Sequence, residues 1–270
     1  MFDFKDAIRG LRRDYGYSLT VILLLALTVG STTAVFSIVN GVLLRPLAYR
    51  DAHRLVAIRE FVPELSQVAV SLPANPRHFV EWRDRASSLD LLSEFNVVTM
   101  NMIGAGEPAQ IVVGQTTGSL FDVLGIQAEY GRVLSSADDR MDGDAVIVVT
   151  DSLWRRRLQS DPAAIGRSVT LRGKLHTIVG VLPRDVTLPE LAGVPGPVLG
   201  LHGVEAFVPL RINPRESSPM GDFNYNVVAR LKPDAQVDRV VAELNVIQAS
   251  IVAASDSKCN ARSVVEAEKP

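Results

Sequence analysis

Four aspartates crowd into "DDRMDGD" as Asp138, Asp139, Asp142 and Asp144, and carboxylates at that density could hold a hard cation through oxygen. A calcium loop begun at Asp139 needs a glutamate at its twelfth position, and Thr150 stands there, so a solvated acidic loop is the better reading. "GAGEPA", from Gly104 to Ala109, has dinucleotide-motif spacing, which works by seating a pyrophosphate at a helix N-terminus. Here Pro108 interrupts it and a strand-like run follows, so the glycines belong to a hairpin turn. "GRSVTLRGKL" has its Gly-Lys pair too far from the first glycine for a phosphate loop, and Leu175 occupies the place of the magnesium-binding hydroxyl.

His78 and Glu81 are three apart on a helix-like stretch, but no second pair completes a metal site, so they read as a surface pair. The other histidines, His53, His176 and His202, lie far from one another. The single cysteine, Cys259, rules out an internal disulfide and every two-cysteine metal or redox motif. Arg155, Arg156 and Arg157 read as a solvated helix face. No nucleophile elbow and no Ser/His/Asp set is recognisable. These failures argue against an enzyme, and no cofactor or metal is expected.

What remains is the scaffold. With 28 Lys+Arg against 30 Asp+Glu the net charge is -2, which gives no global attraction to nucleic acid. From Tyr15 to Leu44 there is no charged residue. A span needs roughly 20 apolar residues, and residues 17–44 supply them as a helix, since lipid leaves backbone groups no other partner. Ala26, Gly30 and Ala34 repeat every fourth residue, as do Thr33, Ser37 and Gly41, which suits a face where another helix approaches closely. Residues 1–16 read as an amphipathic interfacial helix, with Phe4, Ile8, Leu11 and Tyr15 on one side. Lys5, Arg9, Arg12 and Arg13 place this end in the cytoplasm and send the remainder outward. A cleaved signal is the competing reading, with a small-x-small site at Thr32–Ala34, but "VFSIVNGVLL" continues the apolar helix beyond it. A helix buried in a soluble core would need a partner able to cover it on all sides.

Arg45-Pro46 ends the helix. Beyond it "RLVAIRE" reads as a strand. "NPRHFVEWRDRASSLDLL" is a helix capped by Asn75, with a stripe of Phe79, Trp82, Ala86 and Leu89. "FNVVTMNMI" and "AQIVVGQTT" form one hairpin, and "RSVTLRGKLHTIVGVLP" forms a second that turns at Arg172-Gly173-Lys174. "SLFDVLG" and "DSLWRRRLQS" are short helices, and "DAVIVVT", "EAFVPL" and "FNYNVVARLK" are strands. The long helix "DAQVDRVVAELNVIQASIVAAS" turns Val237, Val240, Val241, Leu244, Ile247 and Ile251 one way. Residues 255–270 carry no periodic signal and read as a disordered tail. The fold class is α+β, an N-terminal transmembrane helix followed by a domain of hairpins and covering helices.

In sequence order, "AVFSIVNGVLLRPLAYRDAHRLVAI", "FVEWRDRASSLDLLSEFN", "GQTTGSLFDVLGIQAEYGRVLSSADD", "VIVVTDSLWRRRLQSDPAAIGRSVTLRGKLHTIVGVLP" and "NVVARLKPDAQVDRVVAEL" resemble the MacB-like permeases of FtsX type, ABC-transporter relatives numerous in acidobacteria. The resemblance runs to about Ala254. It implies a periplasmic core over residues 45–254, with a membrane-proximal porter-like part and an inserted, sabre-like part over about 131–210. "RLVAIRE", the Phe79 helix, "QIVVGQTT" and the Val237 helix would belong to the porter-like part. It further implies a non-catalytic inner-membrane subunit that couples cytoplasmic ATP hydrolysis to movement in the periplasm, for export or efflux.

The resembled permeases continue into three more membrane helices, which this sequence does not contain, so a permease half or an ATPase subunit would act in trans. Besides the lipid bilayer, a homo-oligomer is allowed as partner and nucleic acid is not expected. The alternative is an anchored periplasmic binding or scaffold domain, or a truncated relic without transport activity.

Overall fold

The computed structural model describes residues 15–42, 49, 51–62, 67, 71–184, 186, 203–213, 222–254 and 264–268. Most of the amphipathic segment expected over 1–16, and the whole Arg45-Pro46 junction, lie outside these residues. The chain divides into two compact units, residues 1–47 and residues 48–270.

The first unit holds helix α1, Tyr15–Val42, 28 residues with no acidic group in its first turn and no basic group in its last. The second unit runs, in chain order, through β1 (Leu55–Phe61), α2 (Pro76–Arg85), β2 (Leu89–Ile103), β3 (Ala109–Thr116), α3 (Leu120–Leu124), β4 (Tyr130–Gly131), β5 (Val146–Val149), α4 (Asp151–Arg157), β6 (Ser168–Leu171), β7 (Lys174–Val181), β8 (Ala206–Pro209), β9 (Asn226–Leu231), α5 (Val237–Ala254) and β10 (Val264–Glu268).

Local chemistry fixes most of these boundaries. Asn75 accepts the Arg77 N–H at 2.8 Å and Pro76 opens α2, an N-cap followed by proline in the first turn. Phe79 and Trp82 are buried as the helical period requires. The expected stripe ends there, because Leu89 opens β2 rather than extending the helix. The cause is tertiary: Glu243 on α5 accepts the backbone N–H groups of Ser87 and Ser88 at 2.7 and 3.0 Å and holds the chain in a turn. The second hairpin turns through Arg172 (φ 47°) and Gly173 (φ 80°), two left-handed residues as a two-residue hairpin of matching twist demands.

The strands join in one sheet in the order β10-β1-β9-β2-β3-β8-β5-β7-β4. β10 falls within the tail read as disordered and pairs antiparallel with β1, from Ala57 opposite Glu268 to Phe61 opposite Val264. β9 lies between β1 and β2, antiparallel to both. The expected first hairpin is present, with Phe95 opposite Thr116 and Met102 opposite Ala109. The sheet then closes on itself: β3 pairs parallel with β8, β8 with β5, β5 parallel with β7, β7 with β6, and β6 returns to β2 with Leu171 opposite Met102. This ring leaves its strands no free edge. The fold is therefore a mixed α/β one, an antiparallel sheet with two parallel pairs. β3, read in the sequence as part of the porter-like half, is also a stave of the ring.

Three clusters form the core. Val56 and Ile58 face α2 and α5, where they meet Phe79, Trp82, Val240 and Leu244. Leu55 and Ala57, one residue out of phase, face the opposite side with Phe95 and the α3 residues Leu120, Phe121 and Leu124. There the Phe121 and Phe207 rings meet edge to face, 5.3 Å between centroids. Met102, Ile111, Ile147, Leu171 and Ile178 belong to the third cluster, to which α4 adds Leu153 and Trp154.

Candidate functional site

On α1 the described side chains stand exposed on every side: Leu27 is 69% exposed, Val29 62% and Phe36 61%. In water such a surface is costly, at about 25 cal/mol per Å² of apolar area. The helix's hydroxyls turn inward to its own carbonyls: Thr28 donates to Leu24 at 2.8 Å, Ser31 to Leu27 at 2.6 Å and Thr32 to Thr28 at 2.8 Å. Such back-bonding hides polar groups where the surroundings offer no partner. Among the described residues no helix is long and apolar enough to cross a membrane. Of the six residues expected to form a helix-packing face, Ala26, Gly30 and Thr33 are exposed, and an added Cβ at Gly30 would meet nothing within 4 Å. The side chains of Ala34 and Ser37, and the surroundings of Gly41, fall outside the described residues.

In the second unit the histidine–glutamate pair read at the surface is parted. His78 is wholly buried and its Nδ1 lies 2.8 Å from Glu60 Oε2, while Glu81 meets Arg85 at 3.2 Å on the helix surface. Glu60 Oε1 also accepts the Asn75 backbone N–H at 2.8 Å, and the buried Gln248 amide of α5 lies 3.0 Å from His78 Nδ1. The cluster ties β1, α2 and α5 together. Sequence reasoning missed Glu60 because "RLVAIRE" makes it look like the polar end of an alternating strand.

The acidic loop is less solvated than its composition implies. Asp138 is buried and takes the Arg132 guanidinium on both oxygens, at 2.7 and 2.8 Å, together with the Ser135 N–H at 2.8 Å. Burial works to raise its pKa, but Arg132 and Ser135 outweigh it and hold the carboxyl below the usual range. Asp139 accepts the Gly118 N–H at 2.7 Å. Burial pushes Asp139 up to about 6, against the pull of that N–H. Asp142 pairs with Arg140 on the surface at 3.1 Å. Among the described residues no three His, Cys, Asp or Glu side chains converge as metal ligands.

Asp139 also lines a cleft of about 380 Å³ beside α2, which the sequence did not suggest. Glu94 on β2, 3% exposed, lines it as well, and its Oε1 has no hydrogen-bond partner among the described residues. Burial first, then the charge of Glu60, push the Glu94 carboxyl up to about 8 against the pull of Arg83. The one available signal was an acid at an inward position of "LLSEFNVV", where an exposed strand end is the commoner explanation.

The remaining expected motifs are structural. Gly104 and Gly106, both at positive φ, lie in the turn between β2 and β3. On α4, Arg155 pairs with Asp151, Arg156 with Glu205, and Arg157 donates to the Glu107 carbonyl.

Residues 18–247 match the model of the family described as MacB-like periplasmic core domain. Solved structures of similar fold include a domain of a putative permease from Porphyromonas gingivalis (14% identity, TM-score 0.59, covering 84% of this chain and 92% of that one). The periplasmic region of MacB from Actinobacillus actinomycetemcomitans is similar at 10% identity and TM-score 0.58, covering 81% and 89%. The extracellular domain of the noncanonic ABC-type transporter YknZ from Gram-positive bacteria follows at 12% identity and TM-score 0.53, covering 78% and 99%. No curated protein matches the sequence.

Proposed function

The chain belongs to the family of MacB-like periplasmic core domains, and from that premise we propose that it is the non-catalytic periplasmic core of an ABC-type permease, anchored in the bacterial inner (plasma) membrane by α1. It serves ATP-driven export or efflux through partner subunits, a permease half or an ATPase subunit supplied in trans. The observation that carries this reading is the extent of the family match, which starts inside α1 and runs through β1 to β9 into α5.

The anchor rests on α1 itself. An uncharged helix, apolar all round and with its hydroxyls satisfied internally, is unstable in water and at home in lipid. The four basic residues before it favour a cytoplasmic N-terminus. In this layout residues 1–16 lie at the interface, 17–44 span, and 45–254 form the periplasmic core with its inserted part over about 131–210. The small residues from Ala26 to Gly41 then face a partner helix, from another permease subunit or a second copy of the chain. Nothing in this role needs a catalytic residue or a cofactor, because the chemistry of ATP resides in the partner.

The test is purification of the full chain from membranes after mild cross-linking. An ATPase subunit is expected in the eluate, and the chain alone is expected to turn over no ATP. Recovery of the chain in the soluble cytoplasmic fraction, or ATP turnover by the isolated chain, would overturn the proposal.

A further inference from the structure

β2, β6 and β7 lie side by side in the ring, and their registers set Ile103, Thr170 and Leu175 in one row. Residues opposite one another in a ladder share a face, and so do residues two apart along a strand. Thr99 and Asn101 of β2, Gln110 of β3, Ser168 of β6 and Thr177 of β7 therefore extend the row into a patch of eight residues. Met100, Met102, Val169, Leu171 and Ile178, one residue out of phase, are buried inside the ring. The patch itself faces outward, with Ile103 52% and Leu175 65% exposed.

None of the eight is charged, in a chain of which 21% is Asp, Glu, Lys or Arg. Of the large apolar side chains exposed in the second unit (Ile103, Tyr130, Met141, Leu175 and Val246), two stand on this one row. The charges nearest in sequence lie at the rim: Arg172 and Lys174 at the β6–β7 turn, Glu107 in the β2–β3 turn and Asp144 ahead of β5. A neutral centre with apolar side chains inside a charged rim is the anatomy of a protein contact.

The row is its own complement. A two-fold axis in the plane of the patch, passing through Thr170 along or across the strands, sets Thr170 against its counterpart and the two apolar side chains against the apolar side chains of a second copy. Such a contact brings no like charges together at its centre. At about 4.8 by 6.8 Å per residue the patch projects to about 260 Å², or roughly 600 Å² of accessible surface per copy with its rim. Two copies would bury about 1,200 Å², the lower end of specific interfaces.

We propose that this face is the contact between two copies of the chain, packed sheet on sheet about the Ile103–Thr170–Leu175 row. Copies held in one membrane by α1 meet at a far higher effective concentration than free ones, which suits a contact of this size. In that respect the contact rests on the anchor proposed above.

The test is cross-linking of the full chain in host membranes, with the lone Cys259 changed to Ser. Thr170→Cys, on the axis, is expected to join two copies through a short bismaleimide, whereas Val246→Cys, 70% exposed on α5, is not. Ile103→Lys with Leu175→Lys should cut the Thr170→Cys product at least about tenfold and leave Tm unchanged, because both side chains are already exposed in the single chain. Sedimentation equilibrium of the full chain in detergent should show monomer and dimer, shifted toward monomer by the same double change. This second readout needs no membrane, so a dimer found in the soluble fraction would support the contact while overturning the anchor. No product through Thr170→Cys, an equal yield through Val246→Cys, a product joined to a different protein, or a dimer indifferent to the two lysines would each overturn the proposal.

Discussion

Replacing Glu94 by Gln should make the protein more stable, and increasingly so as pH rises. The folded carboxyl titrates at about 8, because burial and the Glu60 charge penalise its ionised form. Unfolded, it would titrate near the ordinary glutamate value of 4.5. Below the lower value both states hold the proton and the group contributes a constant stability. Between the two values the folded chain keeps a proton that the unfolded chain has released, so stability falls by about 1.4 kcal/mol per pH unit. Above about 8 the loss is complete. Gln has the same size and does not titrate, so the variant lacks this slope. From about pH 5 to about pH 8 its advantage over the parent should grow by about 3 kcal/mol, or roughly 6–10 °C in Tm. Asp139, raised for a similar reason, slopes the same way in both proteins and cancels in the comparison. The assay is urea unfolding of the full chain in detergent at several pH values, followed by the fluorescence of Trp82 and Trp154. Parallel pH profiles for the two proteins, agreeing within about 1 kcal/mol, would refute the reasoning.

Glu243→Gln should behave in the opposite sense. Burial raises that carboxyl, but its hydrogen bonds from Ser88 and Ser87 prevail and bring it down to about 2, so its contribution is present above the usual carboxylate value and fades as pH falls toward 2. Because the side chain is largely solvated, the cost at neutral pH should be about 1 kcal/mol, vanishing in acid, as denaturant midpoints at matched pH would show. Trp82→Ala empties a fully buried site under α2 and should cost about 3–5 kcal/mol in the same assay. Gly118→Ala would drive its Cβ into the Ser135 backbone and lose at least about 2 kcal/mol, read as a drop in Tm.

The local signals of the sequence were sound wherever the period of an element and its stop residues agreed. The Asn75 cap, the Arg172-Gly173 turn and the apolar face of α5 from Val240 to Ile251 all stand where pattern and turn chemistry place them. Failures occurred where a distant residue decided. Leu89 continues a helical stripe in sequence, yet the Glu243 contacts to Ser87 and Ser88 turn the chain into a strand. His78 lies beside Glu81 on its helix but finds Glu60, 18 positions away. Closure of the ring through β6 and β2 rests on Met102 opposite Leu171, a pairing with no local signature. The Glu94 cleft was invisible for the same reason: one acid sits on an inner strand and the other in a loop that reads as solvated.

The central claim is that α1 anchors a domain on the outer face of the membrane. It is tested most directly by fusing alkaline phosphatase to the full chain after residue 254 and, in parallel, a reporter that matures only in the cytoplasm, both expressed in a Gram-negative host. Phosphatase activity and a silent cytoplasmic reporter are expected, with the signal lost when Leu23 and Leu24 are both changed to Arg, at about 2.5–3.5 kcal/mol of insertion cost each. A bright cytoplasmic reporter with inactive phosphatase would contradict it.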